Sequence, residues 1–349
     1  MFRLRNGGFQ LKKLKIAVIY GGRSSEHQVS LWSAYSVIKA IDQEKYEIVP
    51  VGITKEGKWV TGELNLLLGT DNAMLMGNEP FQLSADPSCN EHLQIDVIFP
   101  VMHGTTAEDG ILQGLFELAK IPYVGCGVDS SVLAFDKALT KSIISTIGLP
   151  QAKYIVVRQD NYLDLVEQIN QGLGYPCFVK PARQGSSVGI SKVTSREKLE
   201  EAFRVGFQYD DKLIVEEFIQ GREIEVSVLG NKNPQASLPG EIIPGAEFYD
   251  YDAKYIDNSS TLEIPAQLSS NQVQEIQSLA IKLYQALDCR GLARIDFFLA
   301  EDTGKIYINE INTMPGFTSI SMYPKLWEAS GLSYPELIEK LINLALEKK

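Results

Sequence analysis

Short apolar runs of two periods alternate along the chain. Ile16 to Tyr20 is continuous and stops at Gly21-Gly22, the pattern of a strand buried on both faces. Tyr46 to Ile53 and Ile95 to Val101 repeat it with helical patterns between them, which predicts an open parallel α/β sheet. Residues 60–92 are polar and aperiodic. The segment 121–131 (IPYVGCGVDSS) is rich in turn formers and places a domain boundary near residue 125. A helix follows, with Leu139, Ile143 and Ile147 on one face, stopped by Gly148 and Pro150. Strand-like runs then recur at 153–157, 176–180, 188–193, 213–217 and 223–229, with a second boundary near residue 217. Val273, Ile276, Ala280 and Leu283 stand at the spacing of a long helix. Strands at 292–299 and 305–311 flank a turn at Asp302-Thr303-Gly304. The last helix opens on Ser333-Tyr-Pro-Glu336, a capping box with proline in the first turn. There is no internal repeat and no low-complexity tract.

Composition narrows the function. The 349 residues suit two or three domains with a sizeable core. Lys and Arg total 33 against 44 Asp and Glu, a net charge of −11 with no basic run, which argues against nucleic acid or an anionic membrane as a partner. Phosphates would have to be held by a few placed cations and backbone N–H groups. Cys89, Cys126, Cys177 and Cys289 are scattered and form no CxxC pair, as expected of thiols in a reducing cytoplasm. The basic start, MFRLRNGGFQLKKLK, is followed by an apolar run too short for a signal peptide or a membrane span. A cytosolic protein with a loose extension of about a dozen residues is expected.

Two constellations carry chemistry. Phe178 to Ile190 (FVKPARQGSSVGI) places Lys180 at a strand end before a Gly/Ser-rich loop and another strand. Small residues let backbone N–H groups approach a phosphate, and the lysine supplies charge. Such a hairpin by itself is usually only a turn, and no helix follows it as a Walker loop requires. The second constellation is more specific. Arg294 and Asp296 share one face of a strand, and Glu310 and Asn312 share one face of the next. Pairing through the short turn would bring two carboxylates, an amide and a guanidinium together, an oxygen set that suits Mg²⁺ or Mn²⁺. Both strands are otherwise apolar, so charges within them need partners rather than solvent.

Five motifs in order, GGRSSEHQVS (21–30), HGTTAEDGILQG (103–114), KPARQGSSVG (180–189), FYDYDAKY (248–255) and RIDFF…NEINTMPGFTS (294–319), resemble the D-alanine–D-alanine ligase family of ATP-grasp enzymes from about Lys15 to the C-terminus. The resemblance implies an α/β (mixed α+β) fold. An N-terminal open parallel α/β domain at 1–125 precedes a two-part ATP-grasp module with antiparallel sheets. Its central subdomain is 126–217, and its C-terminal subdomain, 218–349, carries the metal site and a mobile loop. The implied reaction is ATP-dependent joining of two D-alanines through an acyl phosphate, for peptidoglycan precursor synthesis, with two Mg²⁺ or Mn²⁺ ions and a homodimer as the assembly.

The resemblance also implies roles. Lys137 and Lys180 contact ATP phosphates, and the stretch from Glu216 to Glu223 lines the adenine and ribose pocket, with Glu223 on the ribose. Asp296, Glu310 and Asn312 are the metal ligands, Glu310 bridging two ions. Glu26 holds the first D-alanine's ammonium with His103 close by. Ser186 and Tyr255 hydrogen-bond with Glu26 and close the second subsite. Arg294 and the Gly316 N–H stabilise the oxyanion, and Ser321 with the following N–H takes the second substrate's carboxylate. Lys254 and Tyr255 belong to the loop that covers the site. Three positions depart from the family pattern: Ala107 replaces a usual glycine, Ile320 a histidine found in many members, and Gln184 a common glutamate.

Plainer readings exist for the smaller features. His103 could finish a strand, Glu26 could complement a helix dipole, and Tyr249, Tyr251 and Tyr255 could be packing. Two rival functions stand beside the first. One is a ligase that joins D-alanine to D-lactate or D-serine, against which Ala253-Lys254-Tyr255 speaks. The other is a nucleotide-binding relative without ligase activity, against which retention of Arg294, Asp296, Glu310 and Asn312 speaks.

Overall fold

The computed structural model describes residues 12–243 and 261–347. The N-terminal extension apart from its last positions and the segment 244–260, with Lys254, Tyr255 and the whole FYDYDAKY motif, lie outside the described residues.

The first sheet is built on β1 (Leu14–Gly21), flanked in parallel by β2 (Tyr46–Ile53) and β5 (Val97–Val101). Ile16 to Tyr20 are almost wholly buried, as a continuous apolar run requires. Two short strands, β3 (Trp59–Thr61) and β4 (Glu79–Pro80), add antiparallel pairs beyond β2, so the sheet is mixed at one edge rather than purely parallel. They come from the aperiodic stretch, where strands of two or three residues leave no readable pattern. Helices α1 (His27–Ala40), α2 (Leu64–Leu67) and α3 (Ile111–Ala119) complete this part.

Next, α4 (Val128–Phe135) and α5 (Lys137–Thr146) lead into an antiparallel sheet of β6 (Tyr154–Arg158), β7 (Cys177–Pro181), β8 (Ser191–Val193) and β9 (Lys212–Glu217), in the order β6-β9-β7-β8. Its core is closed by α6 (Tyr162–Gly172) and α7 (Leu199–Gly206). Of the apolar stripe expected to anchor α5, Leu139, Ile143 and Ile147, only Ile143 packs against a core, and it is half-buried. Leu139 and Ile147 are 39% and 42% exposed, while Ala138, Thr140, Lys141 and Ile144 are buried. The helix lies partly over charged groups, so its inward face carries Lys141 and small residues beside the apolar Ile144.

The third sheet holds β10 (Gly221–Leu229), β11 (Gln235–Ala236), β12 (Gly240–Ile243), β13 (Thr261–Glu263), β14 (Leu292–Ala300) and β15 (Ile306–Asn312), all antiparallel. Helix α8 (Ser270–Ala286), opened by a Ser269–Gln272 capping box, buries Ile276, Leu279, Ala280 and Leu283 against it. Helices α9 (Met322–Ala329) and α10 (Tyr334–Leu346) return to the beginning of the chain, and α10 opens on the expected Ser333–Glu336 capping box. Leu337, Leu341, Tyr323 and Trp327 share one core with Val18, Tyr20 and Phe99, tying the C-terminal end to the first sheet. Cys126, Cys177 and Cys289 are buried free thiols, and Cys89 is exposed. Among the described residues no helix is long and apolar enough to cross a membrane.

Candidate active site

Gly21 ends β1 at φ +88, where a Cβ would lie 2.3 Å from the Ile53 carbonyl oxygen, so only glycine makes this turn. The turn delivers Glu26 to the position just before α1, where its side chain makes no cap. Instead Glu26 faces the Gly/Ser loop between β7 and β8, and Ser186 Oγ donates to Glu26 Oε1 at 2.6 Å. Ser186 and Ser187 both hold positive φ, 50° and 60°. That conformation costs side-chain-bearing residues about 1–2 kcal/mol each, which the surrounding contacts must offset.

His103 follows β5 and is buried, and burial holds it below its ordinary pKa despite the nearby Glu26 carboxylate. A neutral ring whose Nδ1 lies 3.1 Å from the Met314 carbonyl oxygen must carry its proton on Nδ1 and donate it there. His103 thus fixes the Thr313–Gly316 turn, in a role beyond ending a strand. Glu108, a few residues on, accepts from the Gly104 N–H at 2.8 Å. Burial, then the Glu26 charge, push its carboxyl up to about 8. Ala107 is fully buried and does not have positive φ; Thr106 does, so nothing here demands the glycine common in the family. Gln184 offers its backbone carbonyl to Lys137 Nζ at 2.5 Å, a contact indifferent to its side chain.

The β14–β15 hairpin forms as the alternation implied. Arg294 stands opposite Asn312 and Asp296 opposite Glu310, with a bulge after Asp296. On the other side of β14, Glu225 of β10 stands opposite Asp296. Glu225, Asp296 and Glu310 therefore form a row of three carboxylates. Arg294 donates from Nε and Nη2 to both oxygens of Asp296 at 2.7 Å, and its Nε is 3.0 Å from Glu225 Oε2. Asn312 Nδ2 donates to Asp296 Oδ2 at 2.9 Å.

Lysines face this row from α5 and β7. Asp136 caps α5 by accepting from Ala138 and Leu139 N–H, which sets Lys137 at the helix start with Nζ 4.0 Å from Glu310. Burial, more than any charge, holds Lys137 below its ordinary pKa. Lys180 Nζ is 2.6 Å from Glu216 Oε2, and Lys141 pairs with Oε1 of the same carboxylate. Burial alone would raise Glu216, but Lys180 and Lys141 hold it down to about 2. Burial would likewise lower Lys180, and Glu216 carries it above its ordinary value.

Glu26, His103, Lys137, Ser186, Arg294, Glu310, Asn312 and Gly316 line one cleft, together with Glu108. Asp296, paired to Arg294, and the Lys180–Glu216 pair do not line it. Glu223 is on β10, opposite Phe298 of β14. Ser321 precedes α9 and does not line the cleft, although its hydroxyl holds the Thr318 turn beside Gly316. Ile320 is exposed. Lys254 and Tyr255 are outside the described residues.

Three residues here escaped sequence reasoning. Glu108 stood inside a quoted motif without a role, Lys141 stood one helical turn after Lys137, and Glu225 alternated with Glu223 in an apolar strand. Among the described residues no three His, Cys, Asp or Glu side chains enclose an ion by themselves. The carboxylate row nonetheless outnumbers its one guanidinium. Its all-oxygen donors fit a hard cation completed by Asn312, phosphate oxygens and water.

Two antiparallel sheets flanking a lysine- and carboxylate-lined cleft, behind a parallel α/β sheet, define the ATP-grasp class. Residues 15–126 match the family model of the D-ala D-ala ligase N-terminus, and residues 143–343 that of the D-ala D-ala ligase C-terminus. The chain belongs to the D-alanine–D-alanine ligase family. The D-alanine–D-alanine ligase of Acetivibrio thermocellus is 50% identical over 363 residues, covering 96% of each chain. That of Bacillus cytotoxicus is 51% identical over 352 residues, covering 97% of each. The crystal structure of the VanG D-Ala:D-Ser ligase from Enterococcus faecalis superposes with a TM-score of 0.86 at 39% identity, over 96% of this chain and 100% of that one.

Proposed function

We propose that this chain joins two D-alanines into D-alanyl-D-alanine for cell-wall precursor synthesis, using ATP. The observation that carries the reading is one cleft in which the Glu26–Ser186 pair meets Lys137, Arg294 and Glu310. The curated relatives at about half identity bear names that agree.

A carboxylate is a poor acyl donor and must first be activated. Glu26, steadied by Ser186, holds the first D-alanine's ammonium. One oxygen of that substrate's carboxylate attacks the γ-phosphorus of ATP, the bond to the β–γ bridging oxygen breaks, and ADP and an acyl phosphate result. Lys137 and Lys180 spread the phosphoryl charge. Asp296, Glu310 and Asn312 would hold the two Mg²⁺ or Mn²⁺ ions, which when bound would neutralise phosphate charge. The second D-alanine's free amine then attacks the acyl carbonyl. Arg294 and the Gly316 N–H stabilise the oxyanion formed with the C–N bond, and phosphate then leaves, carrying off the amine's proton. Ser321 takes the second carboxylate and Glu223 the ribose, with Glu216 toward the base. Lys254 and Tyr255 close over the site and exclude water, which would hydrolyse the acyl phosphate.

The division at residues 125 and 217, a cytoplasmic location and a homodimer belong to the same reading. For the last, Ile111 and Leu118 of α3, 64% and 60% exposed on one helix face, offer apolar surface, and sedimentation of the purified chain tests it.

Similarity to a D-Ala:D-Ser ligase makes the second substrate the point to test. The test is ADP release and mass spectrometry with D-alanine alone, then with D-serine or D-lactate added. D-Ala–D-Ala as the main product is expected. Depsipeptide or D-Ala–D-Ser as the main product would move the chain to the variant class, and no ADP release would mean a non-catalytic relative.

A further inference from the structure

The mechanism above leaves Lys141 unused. Its side chain is 3% exposed, and it points from the inward face of α5 at Glu216, itself 5% exposed. An ammonium this deep costs several kcal/mol unless paired, so its presence needs a reason. Its neighbours supply one. Glu216 Oε2 is engaged by Lys180 at 2.6 Å, while Oε1 is engaged by Lys141. Lys141 is also held over the Tyr154 ring, 5.6 Å from its centroid, and Tyr154 is the cross-strand partner of Glu216. Lys180 reaches Glu216 from the end of β7, its side chain 14% exposed against 3% for Lys141.

Lys180, read above as a phosphate ligand, is thus tied to a buried carboxylate. To contact phosphate it must let that carboxylate go. With Glu216 paired to Lys180 alone, release would strand a charge in the interior, and nucleotide binding would have to bear that cost. A second, fixed ammonium keeps Glu216 paired and so reduces that cost without abolishing it.

We propose that Lys141 is a positioning residue of the nucleotide site, keeping Glu216 paired so that Lys180 can exchange this carboxylate for the phosphates of ATP. The inference rests on the reading of Lys180 as a phosphate ligand.

The test is a double-mutant cycle on the full chain, with KM for ATP, KM for D-alanine and kcat measured for Lys141→Met, Glu216→Gln and the pair. Lys141→Met is expected to raise KM for ATP about tenfold or more, with kcat at saturating ATP and KM for D-alanine within about twofold. In the Glu216→Gln background no charge is left to strand, and the same substitution should change KM for ATP by less than about twofold. An unchanged KM for ATP in the single variant, or an equal rise in both backgrounds, would show that Lys141 only supports the fold. Should Lys141→Met not fold, Lys141→Arg decides, because retained charge should leave KM for ATP within about threefold and a tenfold rise would overturn the proposal. Absence of ADP release by the unmodified chain would count against the ligase reading, whereas normal turnover without coupling would count only against Lys141.

Discussion

Ser186 and Glu26 lie 160 residues apart in the chain and are joined by a 2.6 Å hydrogen bond across the mouth of the cleft. One comes from the Gly/Ser loop of the central sheet and the other from the turn after β1. The Glu26 carboxylate, proposed above to hold the first substrate's ammonium, is thereby oriented by a hydroxyl from a different sheet. Ser186→Ala should loosen the first D-alanine subsite, raising KM for D-alanine roughly tenfold, the worth of a hydrogen bond to a charged group. KM for ATP should move little. Steady-state kinetics in both substrates check this, and a rise confined to ATP would assign the loop to nucleotide alone.

Glu310→Gln keeps size and removes one charge from the end of the carboxylate row facing Lys137. A loss on the order of 3 kcal/mol in transition-state stabilisation is expected, more than roughly a hundredfold in kcat. Turnover titrated with Mg²⁺ and Mn²⁺ measures it. Near-normal rates in millimolar Mg²⁺ would remove Glu310 from the metal assignment.

A lysine at a loop start reads from sequence as a ligand whose loss leaves the free protein's stability alone. The 2.6 Å Lys180–Glu216 pair changes that expectation. Lys180→Ala should weaken ATP binding strongly and also lower Tm, because a buried carboxylate loses one of its two cations. Calorimetry of ATP binding beside a thermal melt separates the effects. A lowered Tm with intact ATP affinity would make Lys180 purely structural.

Glu108 gives a pH test on the free protein. Its carboxyl, ordinarily near 4.5, is pushed up to about 8 in the fold, chiefly by burial and then by Glu26. Between these values the unfolded chain has released a proton that the native state keeps, so this group's contribution to stability falls as pH rises through the window. Glu108→Gln cannot titrate. The stability difference, wild type minus variant, should therefore decrease from about pH 5 to pH 8, read from urea midpoints. A difference that is flat, or that grows with pH, would place an ionised carboxylate at Glu108.

The sequence by itself determined the elements whose partners are near in the chain. Ile16 to Tyr20 reads as a buried strand because an apolar run ended by glycines has few other uses. The β14–β15 hairpin reads correctly because alternation and a short turn together set which faces of Arg294, Asp296, Glu310 and Asn312 coincide. The Ser333–Glu336 cap closes within one helical turn. Tertiary structure alone decided the rest. Helix α5 buries Lys141 and exposes Leu139 because the surface it covers is the ionised Glu216, and helical periodicity carries no information about what lies opposite. The Glu26–Ser186 bond and the three-carboxylate row through Glu225 depend on sheets meeting over long loops. Chain spacing cannot encode such meetings, because local propensity fixes φ and ψ but not which distant charge a buried side chain will find.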